Sequence, residues 1–107
     1  MIKLFLDDER FPPDDGEIWE IVRSVHEAKN FINHNGFPSF ISFDHDLSDE
    51  LTGYDLVNWI IDTDMDNDGK FIPEDFSFYV HSQNPIGAKN IQEKLSSYLA
   101  HKKTEKN

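Results

Sequence analysis

The stretch Phe40-Ile41-Ser42-Phe43-Asp44-His45-Asp46-Leu47 constrains the fold more than any other, because an apolar run breaks off abruptly in two carboxylates and an imidazole. A short β-branched and aromatic run bounded by polar residues reads as a buried strand. In an open α/β sheet the carboxyl end of such a strand delivers side chains into the crevice beyond it. The stretch therefore predicts a strand followed by a site.

The chain supplies partners for it in order. Ile2 to Leu6, ending in Asp7-Asp8-Glu9-Arg10, reads as a first buried strand opening into a polar turn. Phe11-Pro12-Pro13-Asp14-Asp15-Gly16 continues neither strand nor helix, because consecutive prolines fix φ and remove two donors. Glu17 to Arg23 is expected as an edge strand with Trp19 on the covered face. Ser24-Val25-His26-Glu27 forms a capping box before the helical stripe Val25, Ala28, Phe31 and Ile32, which Asn35-Gly36 ends. The central strand spans Ser39 to Phe43. Thr52, with Asp55 three residues on, starts a second helix with Leu56, Val57, Ile60 and Ile61 on one face, running to about Asp62. Phe76 to Val80 is the last strand. Asn84-Pro85 opens a closing helix with the stripe Ile86, Ile91, Leu95, Tyr98 and Leu99, and His101 to Asn107 reads as a frayed basic tail.

The order β, β, α, β, α, β, α predicts a small α/β sheet of about four strands, mostly parallel, with about three helices on both its faces. One link is awkward, since a parallel crossover normally needs about a dozen residues, usually helical, and Asp7 to Gly16 is short and proline-broken. The second strand is then antiparallel, or its crossover is a bare loop. A length of 107 residues leaves room for one domain, residues 1–107. The absence of cysteine excludes disulfides, thiolate zinc sites and thiol nucleophiles, and suits a reducing cytoplasm. Ile2 to Leu6 is too short for a membrane span. Ten basic against twenty-one acidic residues, a net charge of -11, argue against non-specific binding to duplex nucleic acid.

Three strand ends carry the polar cargo: Asp7, Asp8 and Arg10; Asp44, His45 and Asp46; His81, Ser82 and Asn84. Clustered carboxylates repel, so Asp7, Asp8 and Asp44 need a cation, a shared proton or the Arg10 guanidinium to coexist, and Mg²⁺ is the expected ion. His45 and His81 titrate near neutrality and could divide general base and acid roles, with Asp44 and Asp46 beside them. Arg10, Ser82, Asn84 and Gly87 are the candidate phosphate contacts, Gly87 by letting an anion approach the start of the closing helix. Each also has an ordinary structural role open to it, as a cap, a turn residue or an ion-pair partner. Asp64-x-Asp66-x-Asp68-Gly69, with Asp75 at the twelfth position, matches part of a calcium loop. A plain acidic turn is the competing reading, since Pro73 intrudes and a strand follows.

Four blocks together resemble the cyclic-phosphate processing receiver domains of bacteria and phages. They are Leu4 to Pro13; Arg23-Ser24 with Glu27-Ala28; Ile41 to Leu47 with Thr52-Gly53-Tyr54-Asp55; and His81-Ser82-Gln83-Asn84-Pro85-Ile86-Gly87-Ala88-Lys89-Asn90-Ile91. The resemblance implies a receiver-like, flavodoxin-like fold and activity on cyclic phosphates, such as nucleotide or RNA 2′,3′-cyclic ends. Asp7, Asp8, Asp44 and Ser82 are similar to the acceptor set of signalling receivers. The lysine after a fifth strand is missing, which turns the expectation away from aspartyl phosphorylation.

Two functions follow as expectations. In one, the protein is a phosphoesterase acting on a small phosphate ester or RNA end. In the other, it is a non-catalytic receiver-like switch or interaction module that holds metal or phosphate.

Overall fold

In a computed structural model, which describes residues 2–48 and 50–105, the elements follow the expected order. They are β1 (Lys3–Leu6), β2 (Trp19–Val22), α1 (Val25–Asn35), β3 (Phe40–Phe43), α2 (Gly53–Asp66), β4 (Ser77–Val80) and α3 (Pro85–Glu105). The strands form one sheet in the order β2-β1-β3-β4, and each neighbouring pair is parallel. The four-stranded, three-helix α/β expectation is thus borne out, and the awkward link resolves as a bare loop from Asp7 to Ile18 between parallel strands.

The helices do not flank the sheet on both sides, as expected; they share one face. Successive strand residues point to opposite faces. Leu4, Leu6, Ile41 and Phe43, all fully buried, join Val25, Ala28 and Ile32 of α1, Leu56 and Ile60 of α2, and Ile91 and Leu95 of α3 in one core. The handedness of crossovers explains this. Passing from β2 over β1 to β3, and from β3 to β4, moves in one direction across the sheet, so right-handed connections put α1 and α2 on the same side. Only β1 to β2 steps the other way, and its proline-broken loop carries no helix among the described residues. The second face, with Lys3, Phe5, Trp19, Phe40, Ser42 and Tyr79, is consequently roofed only in part by that loop.

Local signals set the helix ends. Ser24 Oγ accepts the Glu27 amide at 3.1 Å, while the Glu27 carboxylate takes the amide of Arg23 rather than that of the cap residue. Thr52 and Asp55 form the full reciprocal capping box. Gly53 cannot be replaced at that junction without strain, because a Cβ there would lie 1.9 Å from the Asp44 carbonyl oxygen. Ile86 is 73% exposed and falls outside the predicted α3 stripe; at about 100° per residue it lies well round the helix from Ile91.

The acidic stretch after Asp62 corrects a larger expectation. Asp64 and Asp66 are not loop residues, since α2 continues to Asp66 and turns out through Asp68 and Gly69, both at positive φ. The helix continues because Asp64, fully buried, finds donors on every side. Its carboxylate accepts the Phe71 and Ile72 amides at 3.0 and 2.8 Å, the Tyr98 hydroxyl at 2.6 Å and the Lys102 ammonium at 2.9 Å. Those bonds leave no vacancy for calcium. Asp64, Asp66, Asp68 and Asp75 do not converge as a ligand group among the described residues. The Lys102 contact also explains why residues 101–105 continue α3 rather than fraying; the end of the expected tail, 106–107, lies outside the described residues.

Burial alone would raise the Asp64 pKa, but Tyr98, the Ile72 amide and Lys102 together bring it below the usual carboxylate value. A depressed folded pKa contributes stability above the unfolded value of about 3.9 and loses it as pH falls through the folded value. Asp64→Asn should cost about 3 kcal/mol by leaving a buried ammonium poorly compensated. In thermal unfolding followed by circular dichroism from pH 6 to pH 2, the variant should lose less stability on acidification than the parent.

Candidate functional site

Strand alternation decides which strand-end residues meet. Asp7 continues the parity of Lys3 and Phe5, Asp44 that of Phe40 and Ser42, and His81 that of Tyr79, so all three lean towards the helix-free face. Their ligand atoms lie within 4.8 Å of one another. His45 has the parity of Phe43 and turns instead towards the helices.

Asp7 is fully buried and accepts four donors. Oδ1 takes the amides of Glu9 and Arg10 at 3.0 and 2.8 Å; Oδ2 meets Arg10 Nε at 3.1 Å and His81 Nε2 at 3.0 Å. Burial would raise the Asp7 pKa, but the two amides, His81 and Arg10 bring it below the ordinary value. Asp44, 4% exposed, goes the other way: burial and the Asp7 charge raise its pKa against the opposing Ser82 hydroxyl bond, the electrostatic pull of His81 and the bond from the His45 amide. Arg10 spans the pair, with Nη2 3.8 Å from Asp44. Two neighbouring carboxylates are therefore driven in opposite directions, the pattern that separates an acid from a base.

His81 is held on three sides. Its ring stacks on Phe5 at 4.5 Å and 5°, and Nδ1 lies 2.7 Å from Ser42 Oγ. With Asp7 ionised, Nε2 carries the proton that Asp7 accepts, and in the neutral ring Nδ1 accepts the Ser42 hydroxyl. Ser42 is a residue that reading the sequence missed. The signal available was a lone hydroxyl inside an apolar strand, with the parity of Asp44.

His45 belongs to a different network. Its Nδ1 is 2.8 Å from Asp46 Oδ1, and Asp46 also accepts both 3.2 Å bonds from Asn84 Nδ2. His45, then Asn84, hold the Asp46 pKa below its usual value. Asn84 Oδ1 accepts the Gly87 amide at 3.0 Å, capping α3, and Ser82 Oγ accepts the Asn84 amide at 3.1 Å. Gly87 does not offer an anion close approach, as the sequence suggested. The space its missing Cβ leaves is filled by the His45 ring, whose Cγ would sit 2.3 Å from it.

Two hollows result. A polar crevice of about 350 Å³ is lined by Asp7, Arg10, Asp44, Asp46, Ser82 and Asn84, among others. An aromatic cleft of about 530 Å³ opens on the helix-free face, with His81, Ser42 and Arg10 in its wall. Arg10 is common to both. His81 lines the cleft and His45 lines neither of these two hollows, so neither hollow brings both histidines to one anion.

The expected metal set also changes. Asp8 lines the same crevice but accepts the Ser48 hydroxyl and is not among the converging ligand atoms; His81 takes its place beside Asp7 and Asp44. Those two carboxylates suit a hard divalent cation, but Arg10 lies between them and Asp7 has no lone pair to spare. Arg10 and a cation are thus alternative occupants. Arg23, a further residue whose part was not foreseen, fixes this loop by donating through Nη1 to the carbonyls of Asp7 and Arg10 at 3.0 and 2.6 Å, with its guanidinium over Phe11.

A family model described as Cyclic-phosphate processing Receiver domain matches residues 2–97. No curated protein and no solved structure matches the chain. Among the described residues, no helix is long and apolar enough to cross a membrane.

Gly87→Ala should push the His45 ring off its seat and break its contact with Asp46, at a cost of about 1–3 kcal/mol. The imidazole ¹⁵N resonances of His45 should shift while those of His81, held by Asp7 and Ser42, stay in place.

Proposed function

This chain belongs to the cyclic-phosphate processing receiver domain family, and from that premise we propose that it is a phosphoesterase opening a cyclic phosphate, on a nucleotide or at an RNA end. The observation that carries the reading is the Asp7–Asp44 pair, split into a depressed and a raised carboxyl beneath one guanidinium.

Arg10 supplies the planar, permanently charged fork suited to phosphate oxygens. Its side chain is 41% exposed, so it can reach a ligand in the crevice while its Nε stays on Asp7. Asp46 lines the crevice, and bonds from His45 Nδ1 and Asn84 Nδ2 orient its carboxylate and favour its ionised form. Water attacks phosphorus as one ring P–O bond breaks; the Asp46 carboxylate takes the water's proton, and Asp44 in its acid form gives one to the departing ring oxygen. The product is a phosphomonoester with a free hydroxyl. His81 acts as a positioning residue, holding Asp7 against Arg10 from a ring anchored by Ser42 and Phe5. A divalent cation bound in place of Arg10 would be held by Asp7 and Asp44 and would supply the neutralising charge.

Turnover of 2′,3′-cyclic nucleotides and short cyclic-ended RNAs, followed by phosphorus NMR with and without Mg²⁺, tests this. Asp44→Asn and Asp46→Asn should each lower kcat by about 10²–10⁴-fold, and Arg10→Ala should weaken substrate binding as well. Absence of turnover in every condition, or full activity in both Asp46→Asn and Asp44→Asn, would sink the proposal. Labelling of Asp44 by acetyl phosphate without turnover would point to a switch in its place.

A further inference from the structure

The exposed aromatic rings of the cleft on the helix-free face have no part in the chemistry just described. Phe11 and Tyr79 are 74% and 62% exposed, large apolar surfaces for a protein to leave in water. Trp19 stands edge-on to Phe40 at 5.8 Å, and Lys3 Nζ lies over both rings at 5.1 and 5.2 Å. The volume of about 530 Å³ falls within the roughly 300–1,000 Å³ typical of small-ligand sites. The cleft adjoins the phosphate crevice at Arg10, which lines both.

We propose that this cleft binds the base of a nucleotide whose phosphate lies at Arg10, making the substrate a single nucleotide or an unpaired RNA end rather than a sugar or lipid phosphate. The proposal rests on the phosphate site proposed above. Composition and charge act together in the cleft: exposed rings can stack on a base of any sequence, with cations at Lys3 and Arg10 in a chain whose net charge is -11. Open sheet faces bearing aromatic side chains are a recurrent platform for unstacked bases. A base paired in a duplex could not enter a cleft of this kind, so selection for unpaired ends follows from the same geometry. The face is free because the β1–β2 crossover contains no helix, so the feature that leaves it uncovered also places Phe11 at its edge.

Calorimetry and NMR titration with adenosine 2′-monophosphate, ribose 5-phosphate and inorganic phosphate give the test. The nucleotide should bind about tenfold or more tighter than either base-free probe, the contribution expected of one base–ring stack. It should move the indole N–H signal of Trp19 and not that of Trp59. Tyr79→Ala, at an exposed position, and Trp19→Ala should each reduce this excess while leaving phosphate affinity unchanged. Equal affinity for nucleotide and inorganic phosphate would overturn the cleft proposal and leave the esterase reading intact. Self-association that buries Trp19 and excludes the nucleotide would overturn it too, giving the face to a second copy of the chain. Base-dependent binding without turnover of any cyclic phosphate would support the cleft and remove the esterase.

Discussion

A charge placed where water cannot reach it organises this molecule. An ionised carboxylate in an apolar interior is costly unless every lone pair is met, and Asp7, with no exposed surface, meets that demand with donors from two distant parts of the chain. Two come from the turn that follows it, one from the Arg10 guanidinium and one from the end of β4. Folding around Asp7 therefore ties the first strand to the last and fixes Arg10 beside Asp44. Arg23 then pins the carbonyls of the same turn. Asp64 solves the same problem at the other end of the sheet, where Tyr98 and Lys102 bind α3 to α2.

The two charges differ in what remains for a ligand. Asp64 is closed off by its donors and stabilises the fold. Asp7 is equally satisfied, but one of its donors, Arg10, is substantially exposed and shared with Asp44, whose own carboxyl is under-compensated. Structural saturation at one carboxylate and frustration at its neighbour is what distinguishes a candidate reaction site from a structural ion pair.

Much of this was legible in the chain. The element order, the helix starts at Ser24 and Thr52, the α1 and α2 stripes and the three polar strand ends are local patterns, and local patterns survive folding. The pairing of histidines was not read correctly, although the period-2 rule contained it: His81 shares the parity of Asp7 and Ser42 across the register, while His45 has the opposite parity and packs on Gly87. Asp64 was misread for another reason. An acidic run looks like a loop until the partners of one member are known, and Lys102 lies far along the chain. The single-faced packing of the helices needed strand order as well, since a crossover's handedness has a side only once its direction across the sheet is set.

The overall acidity bears on what can approach the proposed site. A net charge of -11 repels a long polyanion, but charges more than about 8 Å away are largely screened at physiological salt. A ligand's terminal phosphate would then respond mainly to Arg10 and its immediate neighbours, whereas an extended backbone would gather repulsion from carboxylates along its whole length. The cationic groups near the hollows are few: Lys3, Arg10 and Arg23, of which Arg23 is committed to backbone carbonyls. So sparse a positive surface suits one phosphate and its adjoining nucleoside. On the proposed reading, selectivity for an end over a chain needs no dedicated gate, because it follows from where the few positive charges have been left.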